Sequence, residues 1–280
     1  MPTPDIVLRC GEDGVALTAD RDHPNAYTLR MGRTDQSYVD LDDPLRLEFD
    51  YIQRLADVVD LHAPAGQRIR IVHIGGAALS LPRYVCATRP RSAQLVLEPD
   101  AELTAFVRDH LPLPRHSGIK VRAVDGRSGL AALRDGFADV VVVDAFEGPR
   151  VPADLTTVEF LLDVRRVLVD GGAVLLNITD RAPFDYGRRV VAAVQAAFSE
   201  VAMSAEPATL KGRRFGNVLI AGSGAPLPVT ELARRAGSSP FPYRVLDGAR
   251  LSQLIGGAAA FTDATAEMSP QPPHGLAHFA

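Results

Sequence analysis

Ile69-Arg70-Ile71-Val72-His73-Ile74-Gly75-Gly76 is an apolar run that stops on two glycines. Three further runs repeat the pattern. Gln94 to Leu97 ends at Glu98, Ile119 to Val124 at Asp125-Gly126, and Val140 to Val143 at Asp144, with Glu147 three residues on. Short runs rich in Val, Ile and Leu read as strands buried on both faces, as in a parallel sheet. Helix-length segments separate them, so strand and helix alternate. Each polar residue named falls at the carboxyl end of a strand, the edge at which open α/β sheets bind ligands. One rim therefore receives two glycines and four acids.

Working outward, residues 6 to 40 carry four short β-like runs separated by Gly and Asp turns, a small antiparallel module. Asp42-Asp43-Pro44 reads as a helix start, with apolar residues at helical spacing through Val59. On the other side, Gly148 to Ala153 is a loop placed where a lid would sit. Leu155 to Val169 is an amphipathic helix and Ala173 to Ile178 a fifth strand. Glu200 to Ser204 and Asn217 to Ala221 look like a closing antiparallel pair. Beyond Gly222 the chain weakens into Gly, Ala, Pro and Ser, and Ser269 to Ala280 reads as a surface tail. The expected organisation is a hairpin segment with linking helix over 1–62, a Rossmann-like α/β domain over 63–224 and an extension over 225–280. The sheet is expected to be mostly parallel and seven-stranded, with helices on both faces.

The 280 residues are 46% apolar, enough for a full core. A net charge of −4 without a basic block gives nucleic-acid binding no electrostatic support. Cys10 and Cys86 share no metal or redox spacing, so no metal is expected. No segment is long and apolar enough to span a bilayer, and the start lacks a signal region, so a cytoplasmic protein is expected.

Gly75-Gly76 lets the backbone turn tightly against a ligand. Glu98, 22 residues after Gly76, is spaced to accept hydrogen bonds from ribose hydroxyls. Asp125-Gly126 is placed for an adenine amine. The blander alternative is that both acids only cap helices. Gly75-Gly76-Ala77-Ala78-Leu79-Ser80 fails the G-x-G-x-x-G pattern that cradles a pyrophosphate, so S-adenosylmethionine or a relative fits better than a dinucleotide. Asp144 and Glu147 can steer a cation or take a proton from an amine; alternatively Asp144 caps a turn and Glu147 is solvated. His73 lies inside a strand and reads as a core residue. His110, His116 and the basic loop Lys211, Arg213, Arg214 read as surface.

These residues resemble the spermidine synthase (polyamine aminopropyltransferase) family, built on the class I methyltransferase fold, over about Ala26 to Gly222. The tail looks like that of actinobacterial members. Ile74 to Leu79 stands for the family's I-G-G-G-D-G, and Arg83 matches an arginine that often follows. Leu97-Glu98-Pro99-Asp100 stands for V-E-I-D, and Val124-Asp125-Gly126-Arg127 for G-D-G. Asp144-Ala145-Phe146-Glu147-Gly148-Pro149 stands for D-S-S-D-P-x-G-P. The resemblance implies Glu98 as ribose ligand, Asp125 as adenine ligand, Asp144 as catalytic base, Glu147 as second acid and Gln36 as a nucleoside contact. It also implies decarboxylated S-adenosylmethionine as co-substrate, a small amine acceptor and a homodimer. Two departures affect the amine half. Ala78 stands where the family has an aspartate, and Glu48-Phe49-Asp50 where it has Tyr-His-Glu. A methyltransferase using ordinary S-adenosylmethionine, or a nucleoside-binding protein without turnover, are the alternatives on the same fold.

Overall fold

The computed structural model describes residues 5–11, 14–32 and 34–273. Four antiparallel strands come first: β1 (Ile6–Arg9), β2 (Val15–Ala19), β3 (Ala26–Met31) and β4 (Thr34–Asp40), paired in that order. The chain then enters α1 (Asp50–His62), eight residues later than the Asp42-Asp43-Pro44 signal suggests. The Asp40 carboxylate explains the delay. It accepts the N–H groups of Asp42 and Asp43 at 2.9 and 3.0 Å, holding a turn where a helix would begin.

From there strand and helix alternate: β5 (Arg70–Ile74), α2 (Ser80–Thr88), β6 (Ala93–Leu97), α3 (Ala101–His110), β7 (Ile119–Arg122), α4 (Gly126–Ala131) and β8 (Ala138–Val143). Next come α5 (Val158–Val167), β9 (Leu168–Asp180), α6 (Gly187–Ala197), β10 (Glu200–Ala205), α7 (Pro207–Leu210) and β11 (Gly216–Ser223). The segment read as weak after Gly222 holds α8 (Val229–Ser238), β12 (Arg244–Asp247) and α9 (Gly248–Ile255). The main sheet runs β12-β10-β11-β9-β8-β5-β6-β7. The pairs among β7, β6, β5, β8 and β9 are parallel, and β11 runs antiparallel to β9 and β10. The seven expected strands are thus present, and β12 adds an eighth, antiparallel to β10. Arg244-Val245-Leu246-Asp247 is too short and too mixed to stand out in sequence; the β10 edge recruits it.

Helices cover both faces. One apolar cluster unites α5, α6 and α9 with β8 and β9; another packs α1 and α2 on the opposite face around Ile71, Val140 and Val142. Each fully buried Val, Leu or Ile contributes about 1.5–3 kcal/mol. The four-stranded sheet borrows its core: Val15, Leu17, Leu29 and Val39 pack against Ala78, Phe106, Val107 and Leu111. Buried Arg89 donates to the carbonyls of Val59, Asp60, Ala63, Pro64 and Gln67, closing the carboxyl end of α1. Ser269, read as tail, is fully buried: its hydroxyl accepts the Val151 N–H at 2.8 Å, and its carbonyl accepts Arg150 Nε at 2.6 Å.

Candidate active site

β5 lies between β6 on one side and β8 on the other, so the strand order reverses there and a crevice opens beyond the carboxyl ends. Strand register sets what faces it. Ile74 pairs with Leu97 and with Val143, and Val143 pairs with Leu176. The next residue on each strand, Gly75, Glu98, Asp144 and Asn177, therefore lies in one row. The ladder continues into it: the Gly75 N–H donates to the Leu97 carbonyl at 3.0 Å and the Asp144 N–H to the Ile74 carbonyl at 2.9 Å.

Gly75, Gly76, Glu98, Asp125, Gly126, Asp144, Glu147 and Gln36 all line one cleft of about 620 Å³. Every site residue singled out in the sequence thus falls on one concavity. Gly75 has φ +93°, and a Cβ there would lie 2.2 Å from the Asp144 carbonyl oxygen. At Gly126 a Cβ would lie 2.2 Å from Ile74 Cγ2. Both positions exclude any side chain. Ala77 and Leu79, where the resemblance has glycines, still take left-handed backbones with φ 40° and 65°. Each such residue costs about 1 kcal/mol or more.

Glu98 binds the turn rather than a helix: Oε2 accepts the Gly76 N–H at 2.9 Å and Oε1 the Asp100 N–H at 3.0 Å. Asp125 does cap α4, its Oδ1 accepting the Ser128 N–H at 2.8 Å, which holds its carboxyl below the usual range. Arg9 is the arginine of this cleft among the described residues, and it is held by Asp100 and Glu102, each at 2.8 Å. Asp100 also caps α3 through the Leu103 N–H.

Asp144 is partly buried on the cleft floor. Burial pushes its carboxyl up to about 6, against the Asn177 amide, which donates to Oδ1 at 2.8 Å and favours the anion. Asn217 Nδ2 in turn donates to Asn177 Oδ1 at 3.0 Å. Tyr51, on α1, donates its hydroxyl to the Gln36 carbonyl at 3.2 Å, and burial together with the Asp144 charge raises its pKa. Glu147 is exposed on the rim, its backbone bridged to Arg150. Asn177, Asn217 and Tyr51 escaped sequence reasoning. A polar Asn inside an otherwise apolar strand was the available signal for Asn177.

Other residues take quieter places. His73 is buried, bonded to Gln94 Oε1 at 3.0 Å, and burial lowers it to about 4, as fits a core histidine. Arg83 ties the Ala78, Leu111 and Pro112 carbonyls together. His110 and His116 are exposed. Ala78 is fully buried under the four-stranded sheet, so its side chain points away from the cleft. A second cavity, about 370 Å³, adjoins the first and shares Gln36, Tyr51 and Phe146 with it. Arg214, read as solvated, lines this cavity and pairs with Glu206 at 3.5 Å. Among the described residues no cluster of three His, Cys, Asp or Glu is placed to hold a metal, and no helix is long and apolar enough to cross a membrane.

The chain is similar to curated polyamine aminopropyltransferases. The one from Vibrio vulnificus is 27% identical over 156 residues, 54% of this chain and 51% of that protein. The chain spans about half the length of the curated relatives it matches. The crystal structure of a probable spermidine synthase from Corynebacterium glutamicum superposes with a TM-score of 0.85 at 28% identity, covering 93% of this chain and 97% of that one. The chain is spermidine synthase-like. Its fold is also that of class I methyltransferases: human methyltransferase-like protein 13, in complex with SAH, aligns over 75% of this chain and 95% of its own at TM-score 0.52 and 18% identity. No family model matches the chain.

Proposed function

We propose that the protein is an aminopropyltransferase. It binds decarboxylated S-adenosylmethionine in the larger cleft and alkylates a small amine presented from the smaller cavity. The observation that carries this reading is the row Glu98–Gly75–Asp144: a ribose acceptor, a side-chain-free turn and a carboxylate base, one per adjacent strand. Gly75 and Gly126 let the strand ends and the first turn of α4 close tightly on Asp144 and Ile74, which supports the reading by holding the cleft's backbone in place. Glu98 would hold the ribose. Asp125 would meet the adenine amine with the carboxylate oxygen not engaged by Ser128, and Gln36 would flank the nucleoside.

Decarboxylated S-adenosylmethionine, when bound, supplies a propylamine carbon activated by a sulfonium. The amine nitrogen bonds to that carbon as the carbon–sulfur bond breaks, its electron pair stays on sulfur, and the proton leaves the amine for Asp144. With its carboxyl near 6, Asp144 is ionised at neutral pH yet basic enough to accept that proton. Asn177 holds Oδ1 in place. Tyr51, kept neutral by burial, walls the space between nucleoside and amine. Arg9, the cleft's arginine, is already shared by two carboxylates and lies by Asp100, away from Asp144. Among the described residues a substrate carboxylate would thus lack a free cation there, which supports the decarboxylated co-substrate over the ordinary form.

The test is methylthioadenosine release from decarboxylated S-adenosylmethionine with a panel of amines, paired with calorimetry of methylthioadenosine binding. Release with at least one amine is expected. Methyl transfer from ordinary S-adenosylmethionine with no release would replace this reading by a methyltransferase. A homodimer is part of the proposal, tested by light scattering.

A further inference from the structure

Asn177 interrupts the apolar run of β9, is 1% exposed and lies between two partners. Its Nδ2 donates to Asp144 Oδ1 at 2.8 Å, and its Oδ1 accepts Asn217 Nδ2 at 3.0 Å. The sheet order β11-β9-β8 brings the three together. Val143 pairs with Leu176, so Asp144 comes beside Asn177; Asn217 pairs with Thr179, so it reaches Asn177 on the diagonal. The row crosses from one cavity to the other: Asp144 lines the larger cleft, and Asn177 and Asn217 line the smaller. Buried Arg54, on α1, donates to the Asn217 backbone carbonyl at 3.4 Å and holds that end of the row. A primary amide has a donor end and an acceptor end. With its donor end toward Asp144, Asn177 stabilises the carboxylate. Turned round, it would set oxygen against oxygen and favour the protonated acid, whose O–H would donate to it. Burial pulls toward the acid as well. Asp144 thus accommodates either orientation, one ionised and one protonated. Asn217 does not: turning Asn177 would place two NH2 groups face to face.

We infer that Asn217 is a positioning residue for the base: it fixes the Asn177 amide so that Asp144 stays ionised, with Oδ1 bound and Oδ2 left to take the amine's proton. The inference rests on the aminopropyl-transfer reading for the source of that proton, but the amide row carries the assignment. Other ionisable groups surround Asp144: Tyr51 on α1, His73 on β5, Glu98 at the end of β6, Asp125 before α4 and Glu147 on the loop after β8. Across the shared wall stand the pairs Asp50–Arg54 and Glu206–Arg214. All of them contribute to the field at Asp144 in every variant below, so a difference between variants reads the amide.

The experiment is titration of Asp144, followed by carbon-13 NMR of its carboxyl in the full unliganded chain and assigned by the signal's loss in Asp144→Asn. Asn217→Leu should raise the midpoint by about one pH unit, the scale of one hydrogen bond to a charged group. Asn177→Leu should raise it at least as far, and the double variant no further, since Asn217 acts only through Asn177. Asn217→Asp keeps the side chain's shape but at neutral pH only accepts, so it should turn the amide. The same change in the Asn177→Leu background measures the added charge by itself. Thermal unfolding midpoints report whether each variant folds. In turnover, the acid limb of kcat/KM should move up with the midpoint, while the rate well above the limb stays close to wild type. A midpoint unmoved in both Asn217 variants, equal shifts with and without Asn177, or a lowered rate over an unmoved limb overturns the inference. If no amine yields methylthioadenosine release, the transfer reading falls instead, and the NMR midpoint still decides whether Asn217 sets Asp144.

Discussion

On one side of the wall shared by Gln36, Tyr51 and Phe146, the larger cleft is shaped by backbone: strand ends in register, two turns where no Cβ fits, and a carboxylate bonded to a glycine N–H. On the other side, the smaller cavity is shaped by side chains from places far apart in the chain: Asp50 and Tyr51 on α1, Asn177 on β9, Glu206 before α7 and Phe241 after α8. The first kind of surface follows from topology and changes little when side chains vary. The second is re-specified whenever an arginine or a phenylalanine is exchanged. A fold can therefore keep its nucleoside while its second substrate drifts.

The hardest test of the backbone side is Ala78→Asp. The resemblance would have it restore a substrate-binding acid. The structure buries position 78 in an apolar cluster, so the carboxylate would be stranded. A stability loss of about 3–5 kcal/mol in chemical denaturation is expected, with no gain in putrescine use. A stable variant that turns over putrescine would show that the wall can rearrange.

Asp144→Asn, at the junction, should lower methylthioadenosine release by about 10²-fold or more while nucleoside binding stays nearly intact. In the wild type, kcat/KM should fall as pH drops through about 6, where Asp144 takes up its proton. The stability effect has the opposite sense. Because the native carboxyl is raised from 3.8 to about 6, the native state keeps a proton that the unfolded chain releases. That contribution is full below 3.8 and lost as pH rises through about 6. Asp144→Asn should therefore melt above the wild type at about pH 8, and the two should converge in acid. An acid limb unmoved from the usual carboxylate range would remove Asp144 as the base.

Glu98→Ala should weaken methylthioadenosine binding by about 1–3 kcal/mol, measured by calorimetry; unchanged affinity would exclude it as the ribose ligand. The smallest effect is expected at Asp125, whose Oδ1 also caps α4. Asp125→Ala should cost about 1 kcal/mol of stability together with a loss of nucleoside affinity no larger than that of Glu98→Ala. A loss of stability with unchanged affinity would leave Asp125 as a cap only.

The contrast between the two cavities also explains what could be read from the chain. Apolar runs ending in Gly75, Glu98 and Asp144 announce a parallel sheet and its rim because strand length and register are local properties. Register then brings Asn177 alongside Asp144, but only once β9 is known to pair with β8. Arg214 reads as solvated yet pairs with Glu206; Arg54 stands at the helical i,i+4 spacing from Asp50, but its bonds to the Ser204 and Asn217 carbonyls join parts of the chain that no spacing rule connects. β12 was invisible for a related reason, since four residues at an edge owe their strand form to β10. The Asp42-Asp43-Pro44 signal misled because Asp40, two residues earlier, competes for the same N–H groups.

The buried Ser269 has a thermodynamic corollary. It clasps Val151 across 118 positions of chain, while Glu147 to Leu155, the segment it secures, forms part of the cleft wall. Docking of this distant stretch and occupancy of the cleft draw on one loop, so each should favour the other by the same free energy. A bound nucleoside would slow amide hydrogen exchange at Ser269, whose N–H donates to the Val151 carbonyl at 3.2 Å, although no ligand atom need come near it.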